Sequence, residues 1–198
     1  MRSCTVITTE RILLQFDAGE GRCGAASAYR ALSVPLRACY PRGMHSPARI
    51  IRLAPGAEAI AICARWRHDA FLKELDYSYE GALRQLDELV ARQDGEAALL
   101  AEVDGVPAGT CLYVRDELEP HHDLTPWLAG LYVAPEFRGR GVARDLVAAI
   151  ERHAGSVGCR RLYLYTVTAE GLYVKCGWAI AERFDWGGAP FVLMQKDL

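Results

Sequence analysis

The sequence lacks a long hydrophobic run and a strong net charge, and each absence excludes a class of protein. No apolar run in the 198 residues approaches the roughly 20 residues that a membrane-spanning helix needs. The N-terminus does not have the basic-then-apolar layout of a signal peptide. The formal net charge is -2, which gives no reason to expect nucleic-acid binding. We therefore expect neither a membrane nor a nucleic acid as a partner.

Paired cysteine motifs are also missing. The seven cysteines are scattered and odd in number, and no two are spaced as C-x-x-C. This pattern argues against a disulfide framework and against a zinc site, so no metal is expected. Unpaired thiols are typical of a reducing compartment, which predicts a cytoplasmic location. Cys176 has no visible His/Asp arrangement around it and is interpreted as a small buried apolar residue, not a nucleophile.

The first 43 residues differ from the rest of the chain. They carry six Arg against three acidic residues, which leaves a net charge of -5 for residues 44–198. An acidic body favours a cationic substrate, although a generic solvated surface explains it as well. Residues 1–43 show no sustained period of two or 3.6. We expect a disordered or loosely packed extension, native or from an over-long reading of the start codon, ahead of a folded domain over residues 44–198.

From residue 48 onward, hydrophobic periodicity predicts alternating strands and helices. Asp104-Gly105 between two apolar runs is a strong hairpin signal. The predicted strands cover residues 49–53, 97–103, 108–114, 127–133, 162–167, 178–184 and 191–195. The predicted helices cover residues 58–74, 80–92, 142–154 and 170–176. In the first helix, the predicted inward face is formed by Ile60, Cys63, Ala64, Phe71 and Leu75.

One stretch, residues 131–143, runs from a short apolar strand through a Gly/Arg turn into a helix. Gly139 and Gly141 let backbone N–H groups turn outward, and the helix that follows directs its positive dipole end to the same place. Three arginines add charge suited to a pyrophosphate: Arg138, Arg140 and Arg144. The stretch predicts a phosphate cradle, against the alternative of an ordinary tight turn.

Two motifs together resemble the GCN5-related N-acetyltransferase (GNAT) superfamily. The run Arg138-Gly139-Arg140-Gly141-Val142-Ala143 is similar to that family's R/Q-x-x-G-x-G/A motif, and Tyr173 stands shortly before Gly177-Trp178, as in its later short helix. The resemblance covers about residues 48–198. It implies an α/β fold with a central mixed, mostly antiparallel sheet flanked by helices, in which the fourth and fifth strands splay apart.

The resemblance also implies a chemistry. It implies transfer of an acetyl group from acetyl-CoA, as co-substrate, to a primary amine of a small molecule by direct attack in a ternary complex. The backbone of Leu131, Tyr132 and Val133 would pair with the pantetheine arm, and the Val133 N–H would stabilise the oxyanion. The pyrophosphate would lie against Arg138, Gly139, Arg140, Gly141, Val142 and Ala143. Tyr173 would hydrogen-bond or protonate the departing sulfur, unless it only packs its helix onto the sheet.

The acceptor side is less defined. An alkyl ammonium, with a pKa of about 10, must lose a proton before it attacks. Candidate bases are His121, His122, Asp123 and Glu102, and a water-mediated route is an alternative. By the resemblance, Tyr77 and Tyr79 would line the acceptor site, and Trp127 or Trp186 could form another wall through cation–π contacts. Each of these aromatic residues could equally be ordinary packing.

The sequence is compatible with two other functions. The acceptor could be a protein or peptide amine, because the fold serves both substrate types. The chain could also be a non-catalytic acyl-CoA-binding sensor, although the presence of Tyr173 argues against it. The last two strands often contribute to dimer contacts in relatives, so a homodimer is one expectation.

Overall fold

The structure is a computed structural model of the protein, and it describes residues 47–92, 94–118, 121 and 123–198. The predicted extension over residues 1–43 and the candidate His122 lie outside the described residues. The strands are β1 (Arg49–Arg52), β2 (Ala97–Val103), β3 (Val106–Val114), β4 (Trp127–Val133), β5 (Arg161–Thr166), β6 (Ala179–Trp186) and β7 (Ala189–Asp197). The α-helices are α1 (Ala59–Arg67), α2 (Tyr79–Ala91), α3 (Val142–Ser156) and α4 (Glu170–Lys175).

These strands form one mixed sheet in the order β1-β2-β3-β4-β5-β7-β6. All neighbours are antiparallel except β4 and β5, which are parallel. On β2, Leu99 packs in the apolar cluster that includes α3 and α4, whereas Leu100 packs in the cluster that includes α1 and α2. Helices therefore flank the sheet on both faces, which confirms the predicted fold. No helix within the described residues is long and apolar enough to cross a bilayer.

The parallel strands β4 and β5 separate almost at once. Their ladder contains one residue pair, Trp127 with Tyr163, next to a hydrogen bond from the Tyr163 N–H to the Pro126 carbonyl (3.0 Å). Beyond this pair, no ladder joins the described residues of the two strands. The predicted splay is confirmed, and it opens a cleft between the C-terminal halves of β4 and β5.

Strand β3 determines which backbone groups of β4 face this cleft. The Ala134 N–H donates to the Ala108 carbonyl (2.9 Å), and Val133 lies opposite Gly109. Because N–H groups alternate in direction along an antiparallel strand, the Val133 N–H points away from β3, toward the cleft. The backbone of Tyr132 faces β3 instead.

The end of the first helical segment departs from the predicted pattern. Residues His68–Leu72 form a π-helical turn, followed by a 3₁₀ turn at Lys73–Leu75. The prediction that Phe71 points inward is wrong: its side chain is 42% exposed, whereas Leu72 is 3% exposed. A π turn holds more residues than an α turn, so it rotates the following side chains relative to the apolar face.

Gly109 marks the closest approach of β3 to the cleft-facing part of β4. A Cβ at Gly109 would lie 2.6 Å from the Tyr132 carbonyl oxygen, a backbone atom. We expect Gly109→Ala to lower the free energy of unfolding by about 1–3 kcal/mol, because the two strands must move apart. Gly155→Ala on α3 is the matched control: its Cβ would meet nothing within 4 Å in the described part of the chain, and alanine favours a helix. Urea denaturation of both variants tests this, and equal stability of Gly109→Ala and the wild type would contradict it.

Candidate active site

The phosphate cradle predicted at residues 138–143 has the backbone geometry that it requires. Gly139 and Gly141 adopt left-handed φ angles of 73° and 87°, and a Cβ at either glycine would meet no atom of the described residues within 4 Å. Left-handed residues alternating with ordinary ones direct successive N–H groups to one side and create a nest for an anion. Gly141 is also the N-cap of α3 and provides no side-chain hydrogen bond, so the first N–H groups of this helix are not capped by it.

Arg138 joins the cradle to the cleft. Its Nε donates to the Val133 carbonyl (3.0 Å), and its guanidinium carbon lies 6.0 Å from the centre of the Tyr132 ring. The guanidinium of Arg140 lies 5.3 Å from the ring centre of Phe137. Both arginines are exposed, so they leave positive charge at the mouth of the nest, where an anion would enter.

Tyr173 lies on α4, and its side chain is tightly packed. Its side chain is 5% exposed and makes an edge contact with Trp178 at 6.1 Å between ring centres. The Trp178 Nε1 donates to Glu151 on α3 (2.9 Å). Lys196 ties this arrangement to β7, since its Nζ pairs with Glu151 (2.7 Å) and donates to the Cys176 carbonyl (2.8 Å).

Burial raises the pKa of Tyr173 far above that of a free phenol, and the nearby thiols of Cys111 and Cys176 raise it further. The residue is therefore a neutral hydroxyl at physiological pH, suited to donate a hydrogen bond. Tyr173 thus lies near Cys111 of β3, which sits at the register shift opposite β4. Cys176 is half-buried, not buried as predicted, and burial raises the pKa of its thiol, which disfavours the reactive thiolate.

The structure packs the predicted acceptor-site aromatics in different surroundings. Tyr79 lies 3.5 Å below the Arg65 guanidinium. Tyr77 is half-buried, and its ring covers Gly81, where a Cβ would lie 3.0 Å from it. Trp127 is fully buried and donates from Nε1 to the Leu124 carbonyl (2.8 Å). Their participation in acceptor binding stays a prediction.

The predicted bases face other parts of the sheet. His121 lies 3.6 Å from Glu182 on β6, and its ring contacts Phe184 on the same strand at 5.0 Å between centres. Glu102 on β2 pairs with Arg49 on β1 at 3.8 Å. Neither His121 nor Glu102 makes these contacts with β4 or β5. Trp186 also belongs to β6, and its ring contacts Phe191 of β7. Asp123 is exposed.

The structure brings together three polar residues that were not among the predicted site residues: Arg67, Glu117 and Tyr165. Arg67 is 8% exposed, and its Nη2 donates to Gln85 on α2 (3.3 Å). Its Nη1 is buried and has no hydrogen-bond partner among the described residues. The Tyr165 hydroxyl on β5 donates to Glu117 (3.4 Å). One signal was present in the sequence, since Arg67 continues the inward-facing helical spacing of Ile60, Cys63 and Ala64.

Glu117 has an unusual carboxyl group. Burial raises its pKa from the ordinary value of 4.5 to about 7, although the positive charge of Arg67 and the hydrogen bond from Tyr165 both lower it. Burial also lowers the pKa of Arg67, which is opposed by the charges of Glu117 and Tyr77. The guanidinium still keeps its proton. A buried cation thus stands near a carboxyl group that exchanges its proton close to neutral pH.

This carboxyl group predicts a pH dependence of stability. Between pH 4.5 and about 7, the folded state holds a proton on Glu117 that the unfolded state has lost. The wild type should therefore lose stability as the pH rises through this window, by about 3 kcal/mol relative to Glu117→Gln, which cannot ionise. Urea denaturation of both proteins from pH 4.5 to 8.5 measures this. Parallel stability curves for the two proteins would contradict it.

The comparisons with known proteins agree with this geometry. The model of the Acetyltransferase (GNAT) family matches residues 61–178. An aminoglycoside N(6′)-acetyltransferase type 1 of Salmonella typhimurium is 36% identical over 78 residues, which are 38% of this chain and 54% of that protein. The chain thus spans about half the length of this relative. A protein of the same name from Stenotrophomonas maltophilia is 30% identical over 115 residues, 54% of this chain and 75% of that protein.

A solved structure shares the fold. A crystal structure of an aminoglycoside 6′-N-acetyltransferase complexed with coenzyme A superposes with a TM-score of 0.59 at 15% identity, covering 75% of this chain and 96% of that one. The residues that the family model matches include the cradle, Tyr173, Arg67 and Glu117.

Proposed function

Because the chain belongs to the GNAT family of acetyltransferases, we propose that it transfers an acetyl group from acetyl-CoA to a primary amine of a small molecule, by direct attack in a ternary complex. The observation that carries this proposal is the combination of the cleft between β4 and β5 with the anion nest at its mouth. The extended pantetheine arm of CoA would lie beside the free edge of β4, and the diphosphate of CoA would lie in the nest.

The residues present suit coenzyme A. The open space at Gly139 and Gly141 lets phosphate oxygens approach the backbone N–H groups closely. The two exposed arginines beside the nest, Arg138 and Arg140, supply charge for a diphosphate. The cleft-facing backbone of Leu131 would hold a pantetheine amide in the manner of an added strand. Val142 and Ala143 would contribute the first N–H groups of α3.

Two groups would act on the reacting atoms. The Val133 N–H points into the cleft and would donate to the carbonyl oxygen as negative charge develops there. The Tyr173 hydroxyl would donate a hydrogen bond to the sulfur as it leaves. Because burial raises the pKa of this phenol, stabilising the thiolate is a better task for it than complete proton transfer.

The acceptor that we propose is an aminoglycoside or a similar polyamine. The curated relatives carry aminoglycoside acetyltransferase names, and the acidic net charge of residues 44–198 favours a cation. A screen tests this: CoA release is followed with acetyl-CoA and a panel of aminoglycosides, polyamines, amino acids and N-terminal peptides. We expect turnover with the first two classes.

The same screen separates the alternatives when thermal shifts are recorded with CoA alone. Turnover confined to the peptides would identify a protein or peptide acetyltransferase. A shift with CoA and no turnover with any amine would indicate a sensor. Absence of any shift with CoA would reject the proposal as a whole.

A further inference from the structure

Arg67 carries a buried Nη1 group. A buried N–H without an acceptor costs free energy, so native structures rarely leave one unpaired. Arg67 has a place in the apolar face of α1, and its Nη2 already bonds to Gln85. Its Nη1 has no acceptor among the described residues. A ligand oxygen would supply the missing acceptor.

Arg67 lies near the point where β4 and β5 separate. Its Nε is 3.6 Å from the position that a Cβ would occupy at Gly130, and Gly130 is the left-handed residue (φ 56°) directly before the cleft-facing part of β4. The last β4–β5 pair, Trp127 with Tyr163, lies just upstream. The guanidinium therefore stands at the apex of the cleft, a few residues from Val133.

Glu117 and Tyr165 approach the same region from two other elements. Tyr165 lies on β5, two residues beyond the last β4–β5 pair, and its ring contacts Trp127 at 6.4 Å between centres. Its hydroxyl holds Glu117, which comes from the segment between β3 and β4. Arg67 and Glu117 attract each other electrostatically, but among the described ion pairs none joins them. Arg67 and Glu117 therefore both keep unused hydrogen-bonding capacity in the same region.

We propose that Arg67 and Glu117 form the subsite for the acceptor amine, in which the Glu117 carboxylate takes a proton from the substrate ammonium and the Arg67 Nη1 donates to an oxygen of the acceptor close to that amine. This inference rests on the proposed function. It specifies the acceptor as an amine with a neighbouring hydroxyl or ether oxygen, since a simple alkyl polyamine offers no acceptor for Nη1.

The proposed acetyl transfer conserves protons and electrons. One ammonium proton passes to Glu117, and the nitrogen lone pair forms the C–N bond at the acetyl carbonyl carbon. The C–S bond breaks with its electron pair going to sulfur. The second nitrogen proton is lost as the amide forms, and the sulfur gains a proton, so the products are the amide and the free thiol of CoA. Glu117 releases its proton to solvent and returns to the carboxylate.

The charges around Glu117 support this role. Arg67 faces it from α1 and Tyr165 faces it from β5, while Tyr77 faces Arg67 from the turn before α2. With burial, they leave Glu117 with a pKa of about 7, which suits a group that accepts and releases a proton near neutral pH. Arg67 also contributes to substrate selectivity. Its fixed positive charge repels the substrate ammonium unless the Glu117 carboxylate pairs with that ammonium.

The first test compares Glu117→Gln with the wild type, using kanamycin A as acceptor. We expect kcat/KM at neutral pH to fall about 10²-fold. The wild-type profile should rise with pH through about 7, because the base must be ionised, and this limb should be absent from the variant. The thermal shift with CoA should not change. Glu96→Gln replaces a buried carboxylate that pairs with Arg92 just before β2; it is the matched control and should keep wild-type activity.

The second test examines the oxygen contact. Arg67→Lys keeps the positive charge but loses Nη1, so KM for kanamycin A should rise about 10-fold, while KM for 1,5-diaminopentane, which has no oxygen, should stay the same. The wild type should also prefer kanamycin A over the diamine. An unchanged pH limb in Glu117→Gln, or equal effects of Arg67→Lys on both acceptors, would overturn the inference.

Failure of the proposed function has a different signature. If the wild type binds CoA but turns over no amine, catalysis is refuted, and the subsite is then judged by binding of kanamycin A to the CoA complex in calorimetry. Weaker binding to both variants would still support the subsite. Equal binding to all three proteins, or no binding to any, would overturn it.

Discussion

Replacing Gly139 and Gly141 together by valine is expected to weaken CoA binding by about 10²-fold while the fold survives. Both residues have left-handed φ angles, which cost a non-glycine residue roughly 1–2 kcal/mol each and a β-branched one more. The variant loop would relax to ordinary φ angles and turn its N–H groups away from the anion. Binding would then have to restore the nest against about 2–4 kcal/mol, and each 1.4 kcal/mol is tenfold in Kd.

Gly158→Val provides the matched control for this prediction. Gly158 has a φ angle of 81° and open space around a Cβ, but it lies just beyond the C-terminal end of α3, at the opposite end from the nest. The Gly158→Val protein should lose about as much free energy of unfolding as each of the two valine substitutions in the nest. It should bind CoA with wild-type affinity. Isothermal titration calorimetry with CoA measures both effects. Wild-type affinity in the double variant would show that the nest does not hold the diphosphate.

Tyr173→Phe is expected to lower kcat about 10²-fold while the Kd for acetyl-CoA changes less than about threefold. The phenylalanine ring keeps the packing against Trp178, so the fold and the cleft remain. The lost hydroxyl is needed only as the sulfur acquires negative charge, which makes the loss specific to the transition state. Because burial raises the pKa of Tyr173, we expect no fall in wild-type activity up to about pH 9 from ionisation of this phenol.

Tyr113→Phe is the matched control for the tyrosine. Tyr113 is also a buried tyrosine in the same apolar cluster, but it lies near the far end of β3, against His153. Its variant should keep the wild-type kcat. Single-turnover kinetics with saturating acetyl-CoA separates the chemical step from binding. A Tyr173→Phe protein with full activity would reduce Tyr173 to a packing residue.

Local patterns in the sequence were sufficient for much of the fold. The predicted bounds of β2 and β4 coincide with those observed, because alternation and the Asp104-Gly105 turn act over a few residues. The glycine conformations of the cradle were also predictable, since only the backbone decides them. Phe71 was placed wrongly because a π turn leaves no mark in hydrophobic spacing.

The acceptor side depended on long-range contacts. Glu117 belongs to an acidic segment that is typical of a solvated loop, and nothing near it in sequence indicates burial. Burial in the folded chain raises its pKa, against the opposing charge of Arg67 on α1 and the hydrogen bond from Tyr165 on β5. His121 was a reasonable base by residue type alone, yet the fold places it against β6.

The sequence by itself determined the order of strands and helices, the left-handed glycines before α3, and the position of Tyr173 on a short helix. These depend on periodicity and backbone freedom, which act between near neighbours. Only the tertiary structure decided where β4 and β5 separate, after one residue pair, and that Arg67, Glu117 and Tyr165 come together near that point. Burial and electrostatic coupling depend on which distant segments enclose a group, and no local pattern carries that information.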